Sequence, residues 1–370
     1  MRVGTVREIK DHEYRVGLTP ESVRELTGHG HEVWVESGAG LGIGASDRDY
    51  EAAGATISPD AKAIFAQCEL VVKVKEPQPG ERAQLREGQV LFTYLHLAPD
   101  PEQTADLVRS GVTAIAYETV TGPGNALPLL KPMSQVAGRM SVQAGATALQ
   151  KEHGGRGVLL GGVPGVMPGK VAVIGGGVVG FNAAQVAVGM GADVTILDRD
   201  PAALERLGTH FESRAKTRFS NRANLAASVA EADLVIGAVL VPGAAAPQLV
   251  TRDMLATMKP GAVLVDVAID QGGCFETSHP TTHSNPTFIV EGIVHYCVAN
   301  MPGAVARTST YALNNVTLPH VLQIAERGWK GALQADTHLA AGLNVHAGHV
   351  TYEAVARELG YEFKPLAEVF

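Results

Sequence analysis

The segment KVAVIGGGVVG, residues 170–180, constrains the fold of this chain more than any other stretch. The apolar run VAVI is typical of a buried strand, and Gly175, Gly177 and Gly180 follow it with the spacing GxGxxG, where a helical stretch begins. The glycines serve a tight turn, a close approach of backbone to pyrophosphate, and close packing of helix on strand. The helix N-terminus would offer free N–H groups to the phosphates. This order predicts a dinucleotide-binding α/β domain.

An acidic residue supports this interpretation. The next β-rich run, DVTILD, ends in Asp198, roughly 20 residues beyond the start of the motif. A carboxylate there can accept hydrogen bonds from both ribose hydroxyls of an adenosine and would repel a 2′-phosphate. The sequence therefore favours NAD(H) over NADP(H), although the neighbouring Arg199 weakens this preference slightly. The alternative is a glycine turn in an ordinary α/β unit.

The residues before the motif form a second series of elements. From residue 1 to about 120, β-rich runs such as RVGTVRE and HEVWVES alternate with helical stretches, which predicts another parallel sheet with helices on its faces. Thr19 and Pro20 predict the N-cap and first residue of a helix. The last 60 or so residues, from Thr308, are predicted to be helical and to pack on the first domain. With 370 residues, 45% of them hydrophobic, the chain can bury two cores.

The stretch 131–152 is predicted to form the longest helix, with a face of small residues. This face lets another helix approach closely, and the partner is expected either in a neighbouring subunit or within the same chain. The small residues at helical spacing are Ala137, Gly138, Ser141, Ala144, Gly145 and Ala148.

Charge and cysteine content exclude several classes of protein. The chain has 30 basic and 38 acidic residues and no long run of either sign, which argues against a nucleic-acid or membrane partner. Three scattered cysteines suggest neither disulfides nor a thiolate zinc site, and the N-terminus lacks the apolar core of a signal peptide, so a reducing cytoplasm is expected. His346 and His349, predicted to lie on a helix, have no third ligand nearby, and no metal is predicted.

Four polar residues are predicted to follow strand ends, where open α/β sheets bind ligands. Arg15 and Lys75 would supply a carboxylate clamp and a point charge, while His96 and Asp270 would supply a proton carrier and a negative charge. Each also has a plain structural interpretation. Arg15 could be a surface cation, His96 a core histidine and Asp270 a turn cap. Lys75 or Lys73, which would share one strand face, could be a solvated edge lysine.

Together with the glycine motif, these residues lie in segments that resemble the bacterial NAD-dependent alanine dehydrogenases. The resemblance extends in order over nearly the whole chain. The segments that carry it are EIKDHEYRVGLTP, VKVKEP, TYLHLAP, KPMSQVAGRM, LLGGVPGV, KVAVIGGGVVG, LVIGAVLVPGA, VLVDVAIDQGGCFETS, YCVANMPGAV and TSTYALNN.

The resemblance implies an α/β fold of two Rossmann-like doubly wound domains with an active-site cleft between them. The substrate domain would comprise residues 1–130 plus 305–370, and the NAD-binding domain residues 131–304. The implied activity is the reversible NAD-dependent oxidative deamination of L-alanine to pyruvate and ammonium. The implied assembly is a cytoplasmic homo-oligomer, commonly a hexamer.

The resemblance also implies roles for individual residues. Arg15 and Lys75 would bind the substrate carboxylate and carbonyl. His96 would donate and accept protons, and Asp270 would be the second catalytic residue. His279 stands where the family often has arginine, so no cofactor contact is assigned to it. The implied NAD contacts, besides the three glycines, are Ser134, Val178, Asp198, Ser220, Leu240, Asn300 and Met301.

Three other functions remain as alternatives at this point. A transhydrogenase nucleotide-binding subunit shares the two-domain plan, but it would need a membrane partner and matches less well around Lys75 and His96. A 2-hydroxy-acid or saccharopine-type dehydrogenase could use the same pair of domains. A nucleotide sensor without chemistry would have no use for the four polar residues at strand ends.

Overall fold

The computed structural model describes residues 1–239 and 246–370. The chain divides into two compact units. Unit 1 comprises Met1–Met133 and Gly303–Phe370, and unit 2 comprises Ser134–Pro302.

Unit 1 contains an eight-stranded sheet in the order β15-β14-β6-β5-β4-β1-β2-β3. Strands β1 to β6 are parallel, and their order 3-2-1-4-5-6 is that of a Rossmann sheet. The strands of this unit are β1 (Arg2–Thr5), β2 (Glu32–Glu36), β3 (Thr56–Ser58), β4 (Leu70–Val72), β5 (Val90–Thr93), β6 (Thr113–Ala116), β14 (Leu343–His346) and β15 (His349–Val350).

Unit 2 contains a seven-stranded sheet in the order β12-β13-β11-β10-β7-β8-β9. It repeats the Rossmann order, with β12 added as an antiparallel edge strand. Its central strands are buried along their whole length, as expected of a parallel sheet covered on both faces. The strands of this unit are β7 (Lys170–Ile174), β8 (Asp193–Asp198), β9 (Ala215–Phe219), β10 (Leu234–Gly237), β11 (Val263–Asp266), β12 (Thr287–Val290) and β13 (Ile293–Tyr296). The prediction of two Rossmann-like α/β sheets is confirmed.

Helices alternate with the parallel strands in both units. The first of them begins as predicted, because the Thr19 hydroxyl accepts the Ser22 N–H at 3.2 Å and Pro20 is the first helical residue. The helices are α1 (Pro20–Gly28), α2 (Asp47–Ala52), α3 (Ala61–Gln67), α4 (Pro79–Arg82), α5 (Pro101–Ser110), α6 (Lys131–Ala148), α7 (Val178–Gly189), α8 (Pro201–Phe211), α9 (Arg222–Glu231), α10 (Arg252–Leu255), α11 (Ala306–Ala335), α12 (Thr337–Ala340) and α13 (Glu353–Leu359).

The small-residue face of α6 packs within the chain. A Cβ atom at Gly138 would lie 2.2 Å from the Val179 carbonyl oxygen, and one at Gly145 would lie 2.5 Å from the Leu234 side chain. These glycines therefore let α6 approach α7 and β10 of the same unit. For Gly138 and Gly145 the close neighbour therefore lies within the same chain.

The prediction of a helical C-terminal segment that packs on the first domain is confirmed for α11, α12 and α13 of unit 1 and is wrong for residues 343–350. After α11 the chain forms β14 and β15, a hairpin that extends the unit 1 sheet beside β6. Its two-residue turn, Ala347–Gly348, has positive φ at both positions, which is the geometry of a type I′ turn. His346 and His349 therefore face each other across a hairpin and do not lie on a helix.

Candidate active site

The glycine motif of unit 2 forms the turn between β7 and α7. Gly175 has φ +101°, and a Cβ atom there would lie 2.8 Å from the Ala238 carbonyl oxygen. At Gly180 a Cβ atom would lie 1.7 Å from the Gly175 carbonyl oxygen, so helix and turn meet at a distance that only glycine permits. At Gly177, the N-cap of α7, a Cβ atom would meet no heavy atom of residues 1–239 or 246–370 within 4 Å. Open space at Gly177, beside an uncapped helix N-terminus, suits a phosphate.

Asp198 ends β8, beside this turn. One of its carboxylate oxygens accepts the Gly176 N–H at 2.6 Å, and the other accepts the Asp200 N–H at 2.8 Å. The Ser220 N–H, just beyond β9, binds the Asp198 carbonyl oxygen at 2.8 Å. The acid is thus fixed against the glycine turn. Among the described residues, the space at Gly177, the α7 N-terminus without a side-chain cap and the held carboxylate together fit a dinucleotide.

The remaining predicted cofactor residues also belong to unit 2. Ser134 lies near the start of α6, and Val178 is the exposed first residue of α7. Asn300 has φ +64°, and the following Met301 is buried. Leu240 lies outside the described residues. His279 packs its ring on Phe288, with the ring centroids 3.6 Å apart.

Arg15 of unit 1 is buried and therefore is not a surface cation. Its Nε and Nη2 atoms donate to the two carboxylate oxygens of Glu13 at 2.7 and 2.5 Å, and its Nη1 lies 3.0 Å from the Met133 sulfur. Burial lowers the pKa of Arg15, but the hydrogen bonds and charge of Glu13 outweigh it, so the net shift is upward. Gly17 fixes this segment against the end of β4, since a Cβ atom there would lie 2.4 Å from the Val72 carbonyl oxygen.

Lys73 and Lys75 both follow β4, which ends at Val72. Lys73 is fully buried, and its ammonium lies 2.9 Å from Glu8 and 2.8 Å from Glu81, so it is not a solvated edge lysine. Lys75 is half-buried; its N–H binds Glu8 at 3.3 Å, and its carbonyl oxygen accepts the Thr93 hydroxyl at 2.9 Å. Lys75 is thereby held beside the end of β5.

His96 follows β5 and is exposed, so it is not a core histidine. Its backbone has φ +51°. The Glu118 carboxylate accepts its N–H at 2.6 Å, and the His96 ring lies nearly parallel to the Tyr94 ring at a centroid distance of 6.0 Å. Tyr94 donates its hydroxyl to the Leu129 carbonyl oxygen, and its pKa is raised by burial, so it remains a phenol.

Asp270 belongs to unit 2 and lies exposed in a single turn, Ile269–Gln271, shortly after β11. Its loop is anchored by Asp266, which is fully buried. The Asp266 carboxylate accepts the Cys274 N–H at 2.9 Å and the Ser278 hydroxyl at 2.6 Å. Burial raises the pKa of Asp266, and these hydrogen bonds offset part of the shift.

The structure therefore brings Arg15, Lys75 and His96 to one edge of the unit 1 sheet, beyond the carboxyl ends of β1, β4 and β5. Asp270 and the predicted cofactor residues lie in unit 2. Sequence reasoning missed the carboxylates that hold the first group: Glu13, Glu8 and Glu118. Glu118 could have been predicted from the sequence, because it lies just after strand β6, as Lys75 and His96 lie just after β4 and β5. Glu8 and Glu13 lie in a loop with many charged residues, and nothing in its sequence separates these two from the others.

Neither a metal-binding group of side chains nor a membrane-spanning helix is found in the described part of the chain. Within residues 1–239 and 246–370, no three histidine, cysteine, aspartate or glutamate side chains are grouped so that they could hold a metal ion. In the same part of the chain, no helix has both the length and the apolar character needed to cross a membrane.

Two family models match this chain. Residues 4–137 match the model described as alanine dehydrogenase/PNT, N-terminal domain. Residues 141–353 match the model described as alanine dehydrogenase/PNT, C-terminal domain.

Similar proteins have the same length and fold. The alanine dehydrogenase of Halomonas elongata is 60% identical over all of both chains. A solved L-alanine dehydrogenase is 55% identical and superposes with a TM-score of 0.95, covering 97% of this chain and 99% of the other. A transhydrogenase from Sinorhizobium meliloti is 29% identical, with a TM-score of 0.82 over 96% of this chain and all of the other.

Proposed function

The chain belongs to the alanine dehydrogenase/PNT family, and we propose that it catalyses the reversible NAD-dependent oxidative deamination of L-alanine to pyruvate and ammonium. The observation that carries the proposal is the group of Arg15, Lys75 and His96 at one sheet edge. The two cations suit the carboxylate and carbonyl of a small 2-oxo acid, and the imidazole suits the proton transfers that convert it to the amino acid. Identity to alanine dehydrogenases is about twice that to the transhydrogenase, which supports the deaminating activity over hydride exchange between nucleotides.

Arg15 and Lys75 orient the substrate in this proposal. A carboxylate in a buried setting is attracted more strongly to a guanidinium than it would be in water. Glu13 keeps that guanidinium charged and fixed, since it binds two of its nitrogens. Lys75 supplies a point charge to the carbonyl oxygen of pyruvate. Because reacting atoms must meet about 3–3.5 Å apart and aligned, this orientation contributes directly to the rate.

A bound NAD⁺ would supply the acceptor for the hydride that leaves Cα of alanine. Gly175, Gly177 and Gly180 would receive its pyrophosphate. The contacts proposed for the rest of the molecule are Ser134, Val178, Asp198, Ser220, Leu240, Asn300 and Met301.

His96 moves the protons of the hydrolytic steps. Loss of the hydride leaves an iminium carbon, and water adds to it while His96 accepts a proton from that water. His96 returns the proton to the nitrogen of the resulting carbinolamine. The C–N bond then breaks as His96 takes the hydroxyl proton, which gives pyruvate and ammonia, and the ammonia accepts that proton to leave as ammonium. Such proton transfer contributes roughly 100- to 10,000-fold to a rate. Asp270 would stabilise the positive charge of the iminium and orient the water.

The test is an assay of NADH oxidation with pyruvate, run with and without ammonium. Turnover that requires ammonium supports an amino-acid dehydrogenase, and a much lower rate with NADPH supports the role of Asp198. Turnover without ammonium would instead identify a hydroxy-acid dehydrogenase. Hydride exchange between two nucleotides without either substrate would favour a transhydrogenase.

We further propose a homo-oligomer, a hexamer as the family resemblance implies, located in the cytoplasm. Large apolar side chains that are exposed in unit 2 support assembly, since patches of this kind mark interfaces. They lie in the glycine-rich segment before β7; Leu159 is 65% exposed and Met167 83%. Cys68, Cys274 and Cys297 are free thiols, which fits a reducing compartment. Sedimentation analysis tests the assembly, and a monomer would overturn it.

A further inference from the structure

His96 has a backbone conformation that side-chain-bearing residues rarely adopt. Its φ of +51° lies in the left-handed region, where the Cβ atom crowds the backbone. A residue keeps this conformation only where its surroundings hold it there. Burial of the neighbouring side chains accompanies this conformation. Leu95 and Leu97 are buried, while His96 between them is exposed.

Glu118 is the side chain that holds this turn. One of its carboxylate oxygens accepts the N–H groups of both Leu95 and His96, at 3.1 and 2.6 Å. Its other oxygen lies 3.2 Å from the Leu95 nitrogen. Bonds from a carboxylate to backbone N–H groups are charge-assisted and stronger than neutral ones. Two consecutive peptide N–H groups are thus tied to one side chain.

The fold explains how Glu118 reaches this turn. It lies in the single turn Tyr117–Thr119 directly after β6, and β6 pairs with β5 in the register Ala116 to Thr93. The two strands therefore end side by side, with His96 beyond one and Glu118 beyond the other. The Leu95 carbonyl oxygen is held from another direction by the Gln103 side chain at 2.6 Å.

We propose that Glu118 is a positioning residue for His96: its carboxylate fixes the left-handed turn that aims the imidazole at the substrate. The proposal rests on the proposed function, in which His96 moves protons. Glu118 acts through His96 and touches no reacting atom. Without it, two adjacent N–H groups lose their acceptor, and φ of His96 can relax to negative values, which turns the imidazole away.

Two variants separate the hydrogen bonds from the charge. Glu118→Ala removes the acceptor and should lower kcat for pyruvate amination on the order of 100-fold, the effect of a misplacement near 1 Å. The KM for pyruvate and the Kd for NADH should change far less. Glu118→Gln loses the same charge but keeps an oxygen that can accept both N–H groups, so it should retain most of the activity. A glutamine variant as inactive as the alanine variant would overturn the proposal.

A matched control comes from Glu69. Its carboxylate also accepts a backbone N–H from another part of the chain, that of Arg2 at 2.8 Å, at the amino ends of β1 and β4. Glu69→Ala should leave kcat unchanged. An equal loss of kcat in this variant would mean that any lost backbone acceptor in unit 1 has this effect.

A double-mutant cycle distinguishes positioning from general destabilisation. If Glu118 acts through His96, Glu118→Ala should cause no further loss of kcat in a His96→Ala background. Additive losses would contradict the proposal.

A spectroscopic readout keeps this test independent of the proposed function. With histidine labelled at the ring carbons, the His96 signal is assigned by its absence in His96→Ala. It should shift in Glu118→Ala and keep its position in Glu69→Ala. Inactivity of the wild-type enzyme would refute the proposed function alone, whereas an unmoved His96 signal would refute the role of Glu118.

Discussion

The Glu8 carboxylate accepts a hydrogen bond from the Lys73 ammonium at 2.9 Å, and neither side chain is exposed by more than 2%. The other Glu8 oxygen accepts the N–H groups of Val74 and Lys75 at 2.7 and 3.3 Å. A buried ion pair thus holds the backbone of the lysine proposed to bind substrate. Burial raises the pKa of Glu8, and the Lys73 charge offsets part of that shift.

Replacement of Lys73 should destabilise the protein strongly. Lys73→Met leaves two buried carboxylates, Glu8 and Glu81, without their cation, and the loss of one partner of a buried ion pair costs about 3–5 kcal/mol. The triple variant Lys73→Met, Glu8→Gln, Glu81→Gln should recover much of that stability. Urea unfolding measures both. Lys170→Met, which breaks an exposed pair with Glu231, is the control and should have a far smaller effect. Equal losses in the two single variants would contradict the buried-pair account.

Gly177→Ala should weaken NADH binding without harming the fold. A Cβ atom there meets nothing within 4 Å among residues 1–239 and 246–370, so the described fold leaves room for it, whereas a pyrophosphate bound against this turn would not. We expect the Kd for NADH to rise at least tenfold while the melting temperature changes by only a few degrees. Calorimetric titration and thermal unfolding measure the two quantities. Gly189→Ala, at the other end of α7, also meets nothing within 4 Å and should change neither. Unaltered NADH affinity in Gly177→Ala would place the pyrophosphate elsewhere.

Arg15→Lys should raise the KM for pyruvate by about 10- to 100-fold, because lysine cannot make the paired hydrogen bonds of a guanidinium. The charge opposite Glu13 is retained, so the fold should survive. Steady-state kinetics give the KM, and the Kd for NADH should stay constant. Arg82 is also buried and paired, but it is the last residue of α4 and binds Glu102 and Asp106 of α5. If Arg82→Lys raised the KM as much, the effect of Arg15 would not be specific to the substrate.

His295 should make the protein less stable as the pH falls below about 6.5. It is fully buried, between the Thr277 hydroxyl and the Ile293 carbonyl oxygen, and burial lowers its pKa. Unfolded histidine takes up a proton near pH 6.5, whereas the folded residue does so only at lower pH. The unfolded state therefore binds more protons in this window, and the His295 contribution is lost as the pH falls, by at most about 1.4 kcal/mol per pH unit.

Buried acids such as Glu8 and Asp266, whose pKa values are raised, increase the stability as the pH falls and so oppose the effect of His295. Comparison of the wild type with His295→Asn separates the contribution of His295 from theirs. The variant should lose less stability than the wild type between pH 7 and pH 5, as measured by urea unfolding. His153→Asn, at an exposed histidine, should keep the wild-type slope. Parallel pH profiles for wild type and His295→Asn would show that His295 titrates normally.

The elements that the sequence predicted well have local signals. Gly175, Gly177 and Gly180 follow an apolar strand and open a helix, and Asp198 ends the next strand, so their geometry depends on a short stretch of chain. Thr19 and Pro20 likewise define a helix start within one turn. The alternation of strands and helices was enough to predict the α/β fold class in both halves.

The elements that were missed depend on distant partners. The spacing of His346 and His349 fits one helical face as well as a two-residue hairpin, and only pairing of β14 with β6 decides between them. The burial of Lys73 depends on Glu8, which lies in another loop. The backbone of His96 depends on Glu118, at the end of the next strand.

The proposed function requires this chain to move a hydride from Cα of L-alanine to NAD⁺. L-alanine deuterated at Cα, incubated with NAD⁺ and the enzyme, tests it most directly by magnetic resonance of the NADH formed. We expect one deuterium at C4 of the nicotinamide ring, a slower rate than with unlabelled alanine if hydride transfer limits turnover, and pyruvate and ammonium in equal amounts. Deuterium released to the solvent, or NADH formed without ammonium, would contradict it.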